Sequence, residues 1–495
     1  MKKAFSRRSA LCRALSRLSG FALAASGFPL DAPAQPDSGE SAPEEEHFDV
    51  VVVGGGIGGL SAALCAAEEG SRVVLLEKNG FLGGDTLISG GTFNAVDPKR
   101  QRPLGIVDSY EQFESQMLAS GEGYNDPAVV RVFAREATTA LIWLEAHGMR
   151  FLPELTEIYG SGFVRAHRSA YPRGRGYIHC LSNACIKAGV NIRPQTRALS
   201  ILRDERGAVY GIEAQSREGN RTTNAVRIFQ ARRGVVLASG GFAANKALLA
   251  KYAPEYASLP IDSLPSSTGD MLLAADAIGA DTVNLGFVEC VPGAPPGIDY
   301  QVRLDYDAED IIMVNQAGRR FVNETGTRRE IASAVARESG PCYEIADQDA
   351  VDGMSRANQK SLWRGYFAKA AWKDDSPQAL AVRLGISPQG LADEIGRAVA
   401  DGRFAGPPYW GVRIHLRIHC TLGGLRIDEN ARVLDRSGQP IDGLWAAGAV
   451  TGNVHGINRL GANGINCACV FGRIAGTAAA RRAPQHLPAT GRIHS

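Results

Sequence analysis

Apolar residues form short unbroken runs at the start of the folded part of the chain. Val50–Val53 is followed by a glycine turn, a helix-forming stretch of small residues from Leu60 to Ala67, and a second run, Val73–Leu76. The order reads strand, turn, helix, strand. A third run, Val235–Ala238, ends in Ser239-Gly240-Gly241 and predicts another short buried strand, and Ser267-Thr268-Gly269-Asp270 is a tight polar turn before a helix. Elsewhere the apolar spacing is helical, over Asp126 to His147 and Pro377 to Ala400, which predicts helices covering the sheet and a cap respectively. No internal repeat stands out.

Chemistry enters at the first turn. Gly54, Gly56 and Gly59 fit G-x-G-x-x-G between a strand and a helix, which permits a tight turn, close approach to a pyrophosphate and near contact of helix with sheet. Glu77 closes the second strand, where an acid accepts hydrogen bonds from ribose hydroxyls. The next segment favours FAD over NAD. A second glycine-rich loop, Gly80 to Gly91, can run along a flavin and hydrogen-bond it through backbone groups. The candidate cofactor contacts are Gly54, Gly56, Gly59, Glu77, Lys78, Gly84, Asp85, Thr86, Ser89, Gly90, Gly91, Ala198, Ser239, Gly240, Asp270, Gly448, Ala449, Gly464 and Ile465. Near the C-terminus, Arg459 stands among glycines and asparagines between His455 and Gly464, offering a planar fork of donors suited to a carboxylate.

Composition fits an enzyme of this size. The chain has 495 residues, 44% of them hydrophobic, enough for two or more domains, and its 57 glycines suit repeated cofactor turns. A formal charge of +2 gives no reason to suspect nucleic acid. The N-terminus carries Arg7-Arg8, an apolar run from Leu18 to Leu30 and a small-residue site at Ala32-Pro33-Ala34, which predicts a twin-arginine export signal over residues 1–34 and a periplasmic protein. The run is too short to span a bilayer, so no stable membrane insertion is expected. Residues 35–46 read as a short acidic, disordered lead. The nine cysteines include no C-x-x-C-H and no spacing that suggests a metal site, so neither c-type haem nor metal is expected; one disulfide remains open.

These residues resemble the flavoprotein subunits of fumarate reductase and succinate dehydrogenase, especially their soluble flavocytochrome c relatives, from His47 to about Ala480. The most specific pieces are the glycine motif, Asn315 to Glu324 with Arg328 four residues on, His419-Cys-Thr-Leu-Gly-Gly424, and His455 to Gly464. The resemblance implies Arg328 as proton donor, with His419 and Arg459 holding a substrate carboxylate. It also implies an α/β fold: a Rossmann-like FAD-binding domain over 47–282 and 409–495, with an inserted α+β capping domain over 283–408. The histidine that anchors FAD covalently in the family is absent near Asp85-Thr86, so non-covalent FAD is expected.

The chain departs from that pattern before Asn315. Relatives carry His-Pro-Thr and then Thr-Glu-x-x-Arg; here stand Glu289-Cys-Val291-Pro292-Gly293 and Arg303 to Asp310. Val291 cannot bind an anion where His would, and Asp307 falls roughly where the relatives have Arg, so the second carboxylate clamp is missing. The expected substrate is therefore a small-molecule unsaturated carboxylate with one carboxyl group, a 2-enoate. Asp305, Asp307, Glu309 and Asp310 are candidate relays to Arg328. Electrons must come from a separate donor: a cytochrome, a quinol-linked protein or reduced flavin. Competing readings are a fumarate reductase proper, a dehydrogenase resembling the 3-ketosteroid Δ1-dehydrogenases, and a non-catalytic electron carrier.

Overall fold

The computed structural model describes residues 44–158, 160–218, 221–298, 300–304 and 308–487. The export signal, most of the acidic lead, and Asp305 and Asp307 lie outside the described residues. One boundary of the lead changes. Glu44–Glu46 begins the strand Glu44–Val53 and pairs in parallel with Arg227–Phe229. Arg193 meets Glu46 at 2.8 Å and Arg227 meets Glu44 at 3.2 Å, so acids that read as solvated are held by cations from distant strands.

The principal sheet has eight strands. From one edge they run Arg432–Leu434, Pro440–Ala446, Arg221–Leu237, Glu44–Val53, Val73–Leu76 and Asn191–Arg193, with every neighbour parallel except the first pair. A hairpin of Thr196–Arg203 and Val209–Glu218 continues from Arg221–Leu237. Val50 to Val53 and Val73 to Leu76 pair residue for residue and are buried, with helices Ile57–Glu68 and Asn463–Arg481 among the elements packed on the sheet. Parallel strands all deliver their C-terminal turns to the same edge. That edge collects the glycine turn after Val53, Glu77 after Leu76, and Ser239-Gly240 after Leu237.

The helix expected from Asp126 to His147 spans Pro127–Ala146, with the Asp126 side chain accepting from the Ala128 N–H at its start and His147 closing its end. The segment Pro377 to Ala400 differs: it forms two helices, Pro377–Leu384 and Pro388–Ala400. Gly385 adopts φ +71, ending the first, while Ser387 caps the second and Pro388 opens it.

A second sheet of five antiparallel strands comprises Val288–Gly293, Tyr409–Thr421, Cys342–Asp347, Ile312–Val314 and Ala371–Asp374. Its longest strand, Tyr409–Thr421, pairs with three of the others, so the cut expected after Pro408 falls at that strand's entrance. Separate apolar clusters pack on this sheet, around Trp410 and around Ile345. All eight described cysteines are free thiols, and no helix among the described residues is long and apolar enough to cross a membrane.

Candidate active site

A single cavity of about 780 Å³ runs from the edge of the principal sheet to the second sheet. At one end it is lined by backbone. Gly54 takes φ +110, and a Cβ there would lie 2.2 Å from the Ala238 carbonyl oxygen. A Cβ on Gly59 would lie 1.8 Å from the Gly54 carbonyl oxygen, so helix Ile57–Glu68 reaches the turn only because Gly59 has no side chain. Gly59 does not line the cavity; its part is this helix-to-turn contact. At Gly56 no side chain caps the helix, whose first turn opens on the cavity. A second helix start, at Asn463, is likewise uncapped, with Gly464 and Ile465 on the cavity wall. Such N–H-rich helix ends suit pyrophosphate and other anionic groups.

Glu77 is buried, its Oε2 accepting from the Gly55 N–H at 2.7 Å and its Oε1 from the Asn79 backbone and side-chain amides at 2.7 and 2.8 Å. Burial pushes its carboxyl above the ordinary range, although these donors pull the other way. One acceptor site of Oε2 is left for a ribose hydroxyl. Two other expected contacts hold each other. Lys78 Nζ meets Asp270 at 3.0 Å and the Thr268 hydroxyl at 2.7 Å, and Arg197 also reaches Asp270, at 3.3 Å. Asp85 ties the second glycine loop to a neighbouring segment, accepting from the Leu264 N–H and the Ser267 hydroxyl, each at 2.7 Å. Thr86 Oγ1 accepts from the Ile57 N–H at 3.3 Å, and the Ser89 hydroxyl donates to the Thr86 carbonyl at 2.7 Å.

Gly84, Gly90, Gly91, Ala198, Ser239, Gly240, Gly448 and Ala449 complete this part of the wall. The Ser239 hydroxyl is buried with no hydrogen-bond partner among the described residues. An elongated cavity with two helix ends that lack a side-chain N-cap, an acid at the second strand and an orphaned hydroxyl fits FAD.

The other end of the cavity is lined by charged side chains from three separate segments. Arg328 is the first residue of helix Arg328–Arg337, fixed by a capping box in which Thr327 and Glu330 exchange backbone hydrogen bonds. Its side chain is 11% exposed where that of Arg329 is 46% exposed, so Arg328 is no solvated surface charge. His419 comes from the strand Tyr409–Thr421 and Arg459 from the turn before Asn463. The structure brings all three to the cavity, together with His455 and Cys420.

Behind them stands a carboxylate that the sequence did not single out. Glu289 Oε1 accepts from Arg328 Nη1 at 2.6 Å and from Arg459 Nη2 at 2.6 Å, with His419 Nε2 at 4.0 Å. Glu289 is 4% exposed and does not line the cavity. Burial alone would raise its pKa, but Arg459, Arg328 and His419 hold it down to about 2. In return Arg459, despite burial, is held more firmly protonated than usual by Glu289. His419 Nδ1 lies 3.3 Å from Asp262 Oδ2, an acid kept below the ordinary range because His419, Arg303 and Arg417 outweigh its burial. Burial and the Arg459 charge press His455 down to about 3, so this ring is neutral. Burial also lifts the Cys420 thiol to about 12.

Of the candidate relays, Glu309 and Asp310 are exposed and Asp310 lines the cavity; Glu289 is an acid placed against Arg328, at 2.6 Å. Val291 is buried in the apolar cluster of the second sheet and does not reach the cavity. Leu304, Ala350 and Met354 do line it, beside Gln301, Arg303 and Asn358. One hint of Glu289 was available, an acid inside an otherwise apolar strand, Val288-Glu-Cys-Val291.

Residues 49–465 match the family model described as an FAD binding domain. The chain is 32% identical over 460 residues to a fumarate reductase (cytochrome) of Shewanella frigidimarina, covering 89% of this chain and 78% of that one. It is 33% identical over 461 residues to a urocanate reductase of Eggerthella lenta, covering 87% and 74%. Among solved structures, the open conformation of a flavocytochrome c3 fumarate reductase superposes with a TM-score of 0.70 at 32% identity, covering 88% of this chain and 79% of that one.

Proposed function

Because the chain belongs to the fumarate reductase and succinate dehydrogenase flavoprotein family, we propose that it is an FAD-dependent oxidoreductase that reduces the C=C bond of an α,β-unsaturated monocarboxylate. One observation carries the reading: Arg328, His419 and Arg459 converge on the same cavity as the dinucleotide cradle.

Reduced FAD, when bound, supplies the hydride that goes to the β-carbon. The chain's own residues do the rest. Arg459 and His419 hold the substrate carboxylate, and the fixed positive charge of Arg459 stabilises the negative charge that builds on the α-carbon and carboxylate. Arg328 holds a proton at a guanidinium nitrogen and gives it to the α-carbon. An arginine can act so only if its proton is quickly restored and its geometry is fixed. Glu289, 2.6 Å from Nη1, supplies the fixing. The apolar side chains Leu304, Ala350 and Met354 exclude water from the far end.

The finer parts of the reading come from the sequence. FAD is held non-covalently, since Gly80 to Gly91 contains no histidine. Electrons arrive from a separate cytochrome, quinol-linked protein or reduced flavin. The Arg7-Arg8 signal exports the folded, FAD-loaded protein to the periplasm, and the capping segment 283–408 closes over the FAD-binding parts. The test is anaerobic turnover with a reduced dye and a panel of enoates, including acrylate, methacrylate, cinnamate, urocanate and fumarate, with the saturated acid quantified. Formation of saturated monocarboxylic acid in proportion to dye oxidised is the expected result. Absence of product from every enoate overturns the reading.

A further inference from the structure

Of the guanidinium groups on the cavity wall, those of Arg328 and Arg459 share one partner behind it, and that partner sets the charge a ligand meets between them. Glu289 takes one hydrogen bond from each arginine on the same oxygen, Oε1, at 2.6 Å. Its other oxygen, Oε2, is buried with no hydrogen-bond partner among the described residues. Three elements face this carboxylate: helix Arg328–Arg337 through Arg328, the turn before Asn463 through Arg459, and the strand Tyr409–Thr421 through His419 and Cys420. The Cys420 thiol is neutral, and His419 is paired on its far side with Asp262 at 3.3 Å. Arg328 and Arg459 thus bring two positive charges and Glu289 removes one, in a buried place where water screens little.

We infer that Glu289 is a positioning and specificity-determining residue: it pins Arg328 and Arg459 from behind and leaves one surplus positive charge, so that the seat accepts one carboxylate and disfavours a dianion. The inference rests on the reading of this wall as a carboxylate seat and adds the residue that sets its charge. Without Glu289 the two arginines would repel each other and stand open to a dianion. With it, the single surplus charge of the pair is met by the first carboxylate, and a second one gains nothing further from Arg328 and Arg459.

Crotonate and fumarate test this cleanly, since they differ in a methyl group against a second carboxylate. Each is titrated into the oxidised, FAD-loaded full chain, and binding is read from the perturbed flavin absorbance without turnover. The wild type should bind crotonate more tightly than fumarate. Glu289→Gln keeps the shape and removes the charge, and should shift the preference toward fumarate by about tenfold or more, chiefly by tighter fumarate binding. Glu289→Asp keeps the charge and should keep the preference. A merely structural role would weaken both ligands alike and leave their ratio unmoved.

The inference is overturned if Glu289→Gln leaves the ratio unchanged, if Glu289→Asp shifts it as much, or if the wild type already prefers fumarate or binds neither acid. The wild-type outcome decides even if the Gln variant does not fold. Failure of the reductase reading looks different: the affinities respond as stated, yet neither acid is reduced.

Discussion

The two ends of the cavity are built by opposite means. The dinucleotide end is made of backbone: glycines that let chain approach chain, and helix ends without a side-chain N-cap. The carboxylate end is made of long charged side chains, brought from residues 289, 328, 419 and 459 and held in place by one another. The first kind of site is stiff because its geometry is steric, and it tolerates almost no added volume. The second is stiff only while its charges balance, and it is tuned by single substitutions.

The difference can be broken from either side. Arg328→Ala should have the largest effect, lowering kcat by about 10²–10⁴-fold, far more than it weakens substrate binding, while FAD content changes little. Steady-state kinetics with absorbance-based FAD stoichiometry checks this, and Arg328→Lys should recover only part. Next comes Gly59→Val, whose Cβ would sit 1.8 Å from the Gly54 oxygen. It should cost about 3 kcal/mol of stability and release FAD, read as a lower Tm and a colourless protein. Arg459→Ala removes charge-assisted hydrogen bonds and should lower kcat/KM on the order of ten- to hundred-fold, about 1.5–3 kcal/mol, with FAD retained.

Acid provides the smallest and most specific effect. Glu289 titrates near 2 in the folded chain against an ordinary value of 4.5. An acid with a depressed folded pKa binds fewer protons when folded, so its stabilisation is complete above about pH 4.5 and is lost as the pH falls toward about 2. The Tm of the wild type should therefore drop more steeply over that window than the Tm of Glu289→Gln.

Legibility in the sequence divides the same way. Gly54, Gly56, Gly59 and Glu77 were readable because their requirement is local: a strand ends, the chain turns, a helix begins. The helix from Pro127 to Ala146 was readable from its spacing and from Asp126 at its start. The break after Leu384 carried its own signals, Gly385 and Ser387-Pro388, which the longer apolar periodicity obscured. Glu289 was visible only as an acid inside an otherwise apolar strand, because its partners lie 39 and 170 residues away and only the folded chain brings them together. For the same reason Glu44–Glu46 read as a solvated lead, and Lys78, Asp85 and Asp270 gave no sign of being tied to protein groups.

The most direct test of the central claim, that one cavity joins FAD to a carboxylate wall able to reduce an enoate, is a single-turnover experiment. Dye-reduced protein, freed of excess dye, is mixed anaerobically with a monocarboxylic enoate, and the return of oxidised-flavin absorbance is tracked for the wild type and Arg328→Ala. The account predicts rapid reoxidation of the wild type, yielding one saturated acid per FAD, and reoxidation slowed by orders of magnitude in the variant. Flavin that stays reduced with every enoate, or an Arg328→Ala protein that reoxidises at the wild-type rate, would contradict it.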